Sequence, residues 1–333
     1  MKLPVNQPSL VSSEDSESLL SAIERATADP RAGVFGPHSM SWKVHRESAL
    51  FLGAARAALL QLAHPWVATA IEQHSNVMAQ PIARFHNTFR IVFAMMFGSL
   101  NQAVAASRHL YTVHTYVRGE MREDVAAYRR GSPYEANEIA ALRWVYATLI
   151  ETAVLAYQCV MPPLAPAELA AYFAETRTLA ALFGLPAAAV PGDWADFLAY
   201  CRDMEASSLL GVSSSARAMA HDILRGAGSW IKPPYWYRAL TAEWLPERFQ
   251  LEFGLEFGEP ERQAAALAKL WLPRIYRRLP EAVRLVGPWH EAQARLKRKR
   301  PGLVAQLNNR FWIGQLLLPF TTAQPYSSKS PSS

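Results

Sequence analysis

The sequence predicts an all-α protein built as one large helical domain. Three observations lead there. Apolar residues recur at three- and four-residue spacing in almost every segment between Glu14 and Leu296. No stretch alternates with the two-residue period of a strand, and no segment repeats. The periodic segments are separated by Pro and Gly breaks, among them Asp29-Pro30, Pro162-Pro163, Gly184-Leu185-Pro186 and Pro191-Gly192. With 333 residues, 50% hydrophobic and 19% charged, the chain can bury a sizeable core and is not of disordered composition.

The elements follow in order. Residues 1–13 read as a polar, disordered arm. Ser12 and Ser13 ahead of Glu14, Asp15 and Glu17 start a helix over 14–27. A long helical pattern covers 41–63, where Gly53, Ala54, Ala55, Ala57 and Ala58 suit close helix packing, and Pro65 breaks it. Further helices are predicted over 66–78, 81–96, 100–118, 120–129, 135–160, 166–183, 193–207, 214–226, 234–254, 259–278 and 281–296. The organisation read from this is an arm and short helix at 1–40, a central unit at 41–225, C-terminal helices at 226–320 packing on the same domain, and a disordered tail at 321–333.

Charge and cysteine usage narrow the class. The formal net charge is +6. Much of it sits in Arg295, Lys297, Arg298, Lys299 and Arg300, with a weaker cluster at Arg274, Arg277 and Arg278. Such a run suits a nucleic-acid or anionic-membrane patch, but a solvated helix end is the plainer reading. No zinc-finger or RNA-binding signature accompanies it, so no nucleic-acid partner is expected. Cys159 and Cys201 lie in separate apolar segments and form no disulfide framework, which fits a cytoplasmic, reducing location. The N-terminus lacks an apolar run of signal-peptide length. The apolar stretch from Ala49 to Ile71 is interrupted by Arg56, Gln61, His64 and Pro65, so no integral membrane segment is expected.

Seven of the nine histidines fall between His38 and His114, but no HExxH or CxxC zinc pattern occurs. The GxSxG elbow, the Walker A loop and the dinucleotide-binding glycine fingerprint are absent too, which removes the commonest hydrolase, kinase and dehydrogenase readings. Four local patterns remain: Ala63-His64-Pro65-Trp66-Val67, His74-Ser75, Arg84-Phe85-His86-Asn87-Thr88, and Val113-His114-Thr115-Tyr116-Val117-Arg118-Gly119. Arg84 and Thr88 share one helix face, and a guanidinium beside a hydroxyl grips a carboxylate well. The plainer alternative is an Arg paired with an internal acid and a Thr bonded back to its helix. His114 has Leu110 and Val117 on its own face, so its imidazole sits in apolar surroundings. Such a ring is what a haem iron takes as its axial ligand. The alternative is a core histidine bonded to a carbonyl.

Taken as an ordered set, the patterns resemble the oxygenase family that contains the latex-clearing rubber oxygenases and the fungal MpaB oxygenases. The resemblance runs through Ser41-Trp42-Lys43-Val44, Glu47 to Leu52, RAALLQLAHPWVATAIEQHS (56–75), Pro81 to Thr88, Phe97-Gly98-Ser99 and VHTYVRG (113–119). It continues with GSPYEANE (131–138), LRWVYATLIETAVLAY (142–157) and Tyr172 to the GLP at 184–186, covering roughly 41–225 in all. No single motif is specific, but their order and spacing are. The resemblance implies helices packed around a non-covalent b-type haem with His114 as iron ligand. It places Arg84 and Thr88 at the haem, where they act in catalysis and cofactor binding, and it leaves His64 and His74 as second-tier cofactor-binding candidates. It implies an oxygenase acting with O2 on an apolar small molecule, oxidative cleavage of a carbon–carbon double bond being the family's best-known reaction. Peroxidation, hydroxylation, oxidative aromatisation, and a haem sensor or carrier without turnover stay open beside it. Rubber oxygenases carry a lysine just before that threonine, and this chain has Asn87 there, so a lysine-closed iron is not expected. Nor is rubber the expected substrate, since a cytosolic protein would not meet it.

Overall fold

The structure is a computed structural model that describes residues 9–74, 81–228 and 232–320, with residues 81–84 as backbone alone. Its helices, in chain order, are α1 (Ser13–Ala26), α2 (Met40–His45), α3 (Ala54–Leu62), α4 (Pro65–His74), α5 (Pro81–Phe97) and α6 (Leu100–Tyr116), then α7 (Ile139–Val160), α8 (Pro166–Leu182), α9 (Trp194–Ala206) and α10 (Ser214–Arg225). The C-terminal set is α11 (Tyr235–Glu243), α12 (Glu247–Phe253), α13 (Glu259–Tyr276), α14 (Glu281–Arg284), α15 (Gly287–Leu296) and α16 (Leu303–Ile313). Two three-residue strands, β1 (Arg118–Glu120) and β2 (Pro133–Glu135), pair antiparallel with Gly119 opposite Tyr134. The fold is all-α, as the sequence predicts.

Helix α7 is the axis of the core. It packs against α3, α8, α9 and α13, and buries Trp144, Tyr146, Ala147, Ile150 and Val154. The Trp144 Nε1–H donates to the Leu60 carbonyl at 2.8 Å, so the largest side chain on the helix is also satisfied. By length and composition α7 could cross a bilayer, but more than half of its apolar window is buried in the protein, as a core helix requires. A smaller apolar cluster joins α11 to α13 through Ala239, Leu240, Ala265, Ala268 and Leu272.

The expected helix over 41–63 is in fact divided. Between α2 and α3 the chain makes a 3-10 turn at Ser48–Leu52. Glu47 is buried there. Its Oε2 accepts from the Tyr276 hydroxyl at 3.0 Å and pairs with Arg284 at 3.3 Å, and an uninterrupted helix would not deliver that carboxylate to the C-terminal half. The pattern over 234–254 breaks at Leu245-Pro246 into α11 and α12, and 281–296 breaks at Leu285-Val286. Residues 120–129 form the hairpin loop rather than a helix. Helix α16 is an element the periodicity did not single out. The arm is ordered over its last residues. Val11 N–H donates to the Asn137 carbonyl at 3.0 Å, and Ile139 N–H donates to the Ser9 carbonyl at 2.9 Å. Residues 1–8 and the tail from Thr321 lie outside the described residues.

Arg56, which reads in the sequence as an interruption of an apolar run, is a buried tie point. Its guanidinium donates to Thr152 Oγ1 at 2.6 Å, to Glu151 at 2.7 Å and to the Trp244 carbonyl at 2.8 Å, with Glu205 at 3.9 Å. It thereby joins α3, α7, α9 and the end of α11. Burial, and then the Glu151 charge, push the Glu205 carboxyl up to about 7. The folded state therefore holds that proton more tightly than the unfolded chain does, and the stability it contributes is lost as pH rises from about 4.5 to about 7. The Glu205→Gln variant should lack this slope. Urea unfolding midpoints followed across that window should fall faster for the wild type, and parallel profiles would show that Glu205 is not the proton holder.

Candidate functional site

Helices α5 and α6 form a helical hairpin on which the site candidates sit. They are joined by Gly98-Ser99 and pack against each other. Ser99 caps α6: its hydroxyl accepts from Gln102 N–H at 3.3 Å, and Gln102 Oε1 accepts from Ser99 N–H at 3.0 Å. A rise of ~1.5 Å per residue puts Arg84 ~20 Å and His114 ~21 Å from the turn, so the two stand at the same level of the hairpin. Near the turn both helices are buried, with Phe93 to Phe97 on α5 and Ala103, Val104 and Ala106 on α6. Away from the turn they open: Phe85, Phe89, Leu110 and Tyr111 are half-buried and Val113 is exposed.

His114 lies in the last turn of α6 and is half-buried. Loss of solvent pushes its imidazole down to about 4, an interaction with the Asn137 side chain opposing the shift. At neutral pH the ring is uncharged and has a lone pair to offer. Asn137 spends its Nδ2 on the Tyr111 carbonyl at 3.4 Å, which turns its oxygen toward the ring. If that oxygen accepts from one ring nitrogen, the other nitrogen keeps its lone pair. A fixed outer hydrogen bond of this kind orients a metal-binding histidine.

Asn137 is placed by the hairpin. Ala136 N–H donates to the Val117 carbonyl at 2.9 Å, directly after α6, and Val11 N–H fixes the Asn137 carbonyl. From the other side, α4 clamps the hairpin. His74 Nε2 lies 3.0 Å from the Arg118 carbonyl and 3.1 Å from the Tyr134 hydroxyl, while Gln73 Nε2 donates to the Glu120 carbonyl at 3.0 Å. Gly119 makes this contact possible, because a Cβ there would stand 2.6 Å from Gln73 Oε1 and 2.8 Å from the Tyr134 oxygen. His74 is thus engaged in holding the hairpin. Asn137 lies in the GSPYEANE segment, but nothing local in that sequence marks it as the partner of a residue 23 positions away.

His64 sits at the junction of α3 and α4, fully buried between Trp66 and Tyr128 at ring distances of 6.3 and 5.7 Å. Desolvation pushes it down to about 4, and its Nδ1 finds no partner among the described residues. Thr88 on α5 is exposed, and its hydroxyl makes no hydrogen bond among the described residues. Thr112 and Thr241, by contrast, bond back to carbonyls of their own helices at 2.8 and 2.9 Å. The Arg84 side chain lies outside the described residues, but its place on α5 puts it one turn before Thr88. Asn87 accepts from Arg90 at 2.9 Å, and His86 Nε2 lies 3.0 Å from the Phe311 carbonyl on α16.

No three His, Cys, Asp or Glu side chains among the described residues converge as a metal cage, and the remaining residues contain none of these types. What the site offers is one neutral imidazole on an apolar, partly open hairpin. That donor set suits a metal brought in by its own macrocycle, which asks the protein for a single axial ligand. The comparison with known families decides the identity. Residues 42–285 match the family described as ER-bound oxygenase mpaB/B'/Rubber oxygenase, catalytic domain. The chain belongs to this oxygenase family. No curated protein and no solved structure matches it. The MpaB/rubber-oxygenase match extends 60 residues beyond the 41–225 segment that carries the resemblance by eye. It takes in every candidate residue named above, runs from α2 through α14, and leaves α1, α15 and α16 outside. An oxygenase catalytic domain acts on a small molecule with O2, and the partly open α5–α6 hairpin carries Thr88, His114 and the apolar side chains around them.

The Asn137 contact is open to test. Asn137→Ala should cost about 0.5–1.5 kcal/mol, the net worth of one hydrogen bond. In the metal-free chain, the His114 ring titrates near 4 in the wild type, lower in Asn137→Ala and higher in Asn137→Asp. An NMR titration of the ring at the ordinary histidine value in the wild type would remove this assignment.

Proposed function

We propose that this chain is a haem b-dependent oxygenase of apolar small molecules, with His114 as the sole protein ligand to the iron. The observation that carries the reading is the desolvated, uncharged His114 ring, held by Asn137 on an otherwise apolar helix end. Reactions that cleave a carbon–carbon double bond with O2 fit this arrangement, since they ask for an apolar chamber beside the metal. Two free, unpaired cysteines suit work in the reducing cytoplasm.

When bound, the haem supplies an iron at which O2 is activated. The residues of the chain supply the rest. His114 would hold the metal through one ring nitrogen, and Asn137 would restrain the ring through the other. Arg84 and Thr88, one turn apart in the sequence of α5, would bind the carboxylate edge of the group, the guanidinium by a charge-assisted hydrogen bond and the hydroxyl by a further contact. Phe85, Phe89, Leu110 and Tyr111 exclude water and give an apolar substrate a surface to leave water for. Neither Asn87 nor His86 is free to close the iron, because Asn87 is tied to Arg90 and His86 to α16.

Two experiments test this. The purified chain should show a Soret band from about one haem per chain, or acquire it on reconstitution. His114→Ala should abolish the band, and Arg84→Ala should weaken haem binding by roughly ten- to a hundredfold, the worth of a charge-assisted hydrogen bond. A colourless chain that takes up no haem would overturn the proposal. Separately, cyanide and imidazole should bind the ferric protein readily. A low-spin spectrum of two nitrogen ligands without any addition would show instead that a second side chain closes the iron.

A further inference from the structure

Helix α16 presents its apolar side outward. Its inward positions are Ala305, Asn309 and Ile313, one turn apart and all buried. Its outward positions are Leu303, Val304, Leu307 and Phe311, which are 76, 58, 66 and 48% exposed. A surface helix ordinarily shows the reverse, with its polar side in water. Val283 on α14 is exposed beside it, and together with Val304, Leu307, Phe311 and Trp312 it lines a groove of about 310 Å³.

The chain's positive charge gathers around the same surface. Residues 274–310 hold ten Lys and Arg against two acids, Glu281 and Glu291, although the whole chain carries an excess of only +6. Glu291 is buried, where it accepts from Asn309 and Leu318, so it does not neutralise the surface. Lys297, Arg298, Lys299 and Arg300 are all exposed immediately before α16. None of them enters an ion pair among the described residues. Arg274, Arg277 and Arg278, just ahead of α14, bond only to carbonyls of their own helix. The outward side of α16 itself carries no acid.

We propose that α16 and the basic loop before it form a docking surface for an anionic lipid bilayer, with Leu303, Val304, Leu307 and Phe311 entering the boundary between headgroups and acyl chains while Lys297 to Arg300 meet the phosphates. An interfacial helix needs this pairing of an apolar side with adjacent cations. A second copy of the chain would bring two strongly positive surfaces together, and a nucleic acid would leave the outward leucines in water. Helix α16 and the basic loop before it, residues 297–313, lie beyond residue 285, where the match to the oxygenase family ends.

The far side of α16 is fixed to the 3-10 turn at Ser48–Leu52 and to α5. Phe51 stacks on Trp312 at 3.6 Å, and Arg90 donates to the Ile313 carbonyl at 2.6 Å. A docked α16 therefore holds α5 near the lipid, an advantage if the proposed function is correct and the substrate arrives dissolved in a membrane. The docking itself does not depend on that reading, and it is measured without reference to haem.

The test is flotation of the full chain with phosphatidylcholine vesicles, with and without phosphatidylserine. The wild type should float only with the anionic vesicles and should be released by added salt. The double variants Leu303→Ser/Leu307→Ser and Lys299→Glu/Arg300→Glu should keep wild-type helix content, since all four residues are exposed. Each should weaken vesicle binding by roughly tenfold or more, given the contribution of each basic residue near an anionic surface. Absence of flotation, equal binding to neutral vesicles, or unchanged binding by both variants would overturn the proposal. So would tighter binding to duplex DNA than to the vesicles, or a dimer that Leu303→Ser/Leu307→Ser dissolves.

Discussion

One uncharged imidazole must be held in one orientation, and it needs a neutral acceptor to do so. A carboxylate beside His114 would favour the imidazolium form and tie up the nitrogen that a metal needs. Water would leave the ring free to turn. An amide oxygen avoids both outcomes, and Asn137 supplies it. The structure then has to bring residue 137 back to residue 114. It does so by the short β1–β2 hairpin, the Val117–Ala136 hydrogen bond that closes it, and the strap Ser9–Val11 that grips residues 137 and 139 from outside. Glu138, the next residue, caps α7 by accepting from Ala141 N–H at 2.6 Å, so the longest core helix starts from the same point. The site and the core are fixed by consecutive residues.

The three histidines of the motif set have separate surroundings. His114 alone combines a neutral ring, partial exposure and an orienting side chain. His74 ties α4 to the hairpin and so acts on His114 at one remove. His64 is packed where α3 meets α4, and Trp66 beside it likewise keeps a buried, unpartnered Nε1. The local sequence is apolar around His64 and polar around His74, but the partners that separate their roles, Tyr128, the Arg118 carbonyl and Tyr134, lie outside any local window.

The same physics explains what was legible in the fold. Helices α5, α7, α8, α9 and α10 carry sustained three- and four-residue periodicity, and their sequence boundaries lie within a few residues of those observed. The hairpin was unreadable because strands of three residues are too short to show alternation. The division of 41–63 rests on Glu47 meeting Tyr276 and Arg284 more than two hundred residues away, which no local window contains. Helix α16 was hidden because its outward side is as apolar as a core. At the site, the four-residue spacing of Arg84 and Thr88 and the apolar neighbours of His114 are local patterns of the sequence. Asn137 is a contact across 23 residues, and only its membership in GSPYEANE hinted at it.

Helix α5 shows why the Arg84 and Thr88 positions remain open to a ligand. At 100° per residue a helix presents roughly three sides. Phe85, Phe89 and Phe93 are spent on Phe51, with ring distances of 5.4, 4.8 and 6.3 Å. His86 and Arg90 are spent on the carbonyls of α16. The third side carries position 84 and Thr88, and Thr88 is exposed with no hydrogen bond among the described residues. A threonine in mid-helix that does not bond back to its own carbonyl leaves a donor and an acceptor available one turn after position 84. Two sides of α5 are consumed in holding it rigid against the N-terminal half and the C-terminal helices. The remaining side keeps the Thr88 hydroxyl unspent, on the same half of the hairpin as His114.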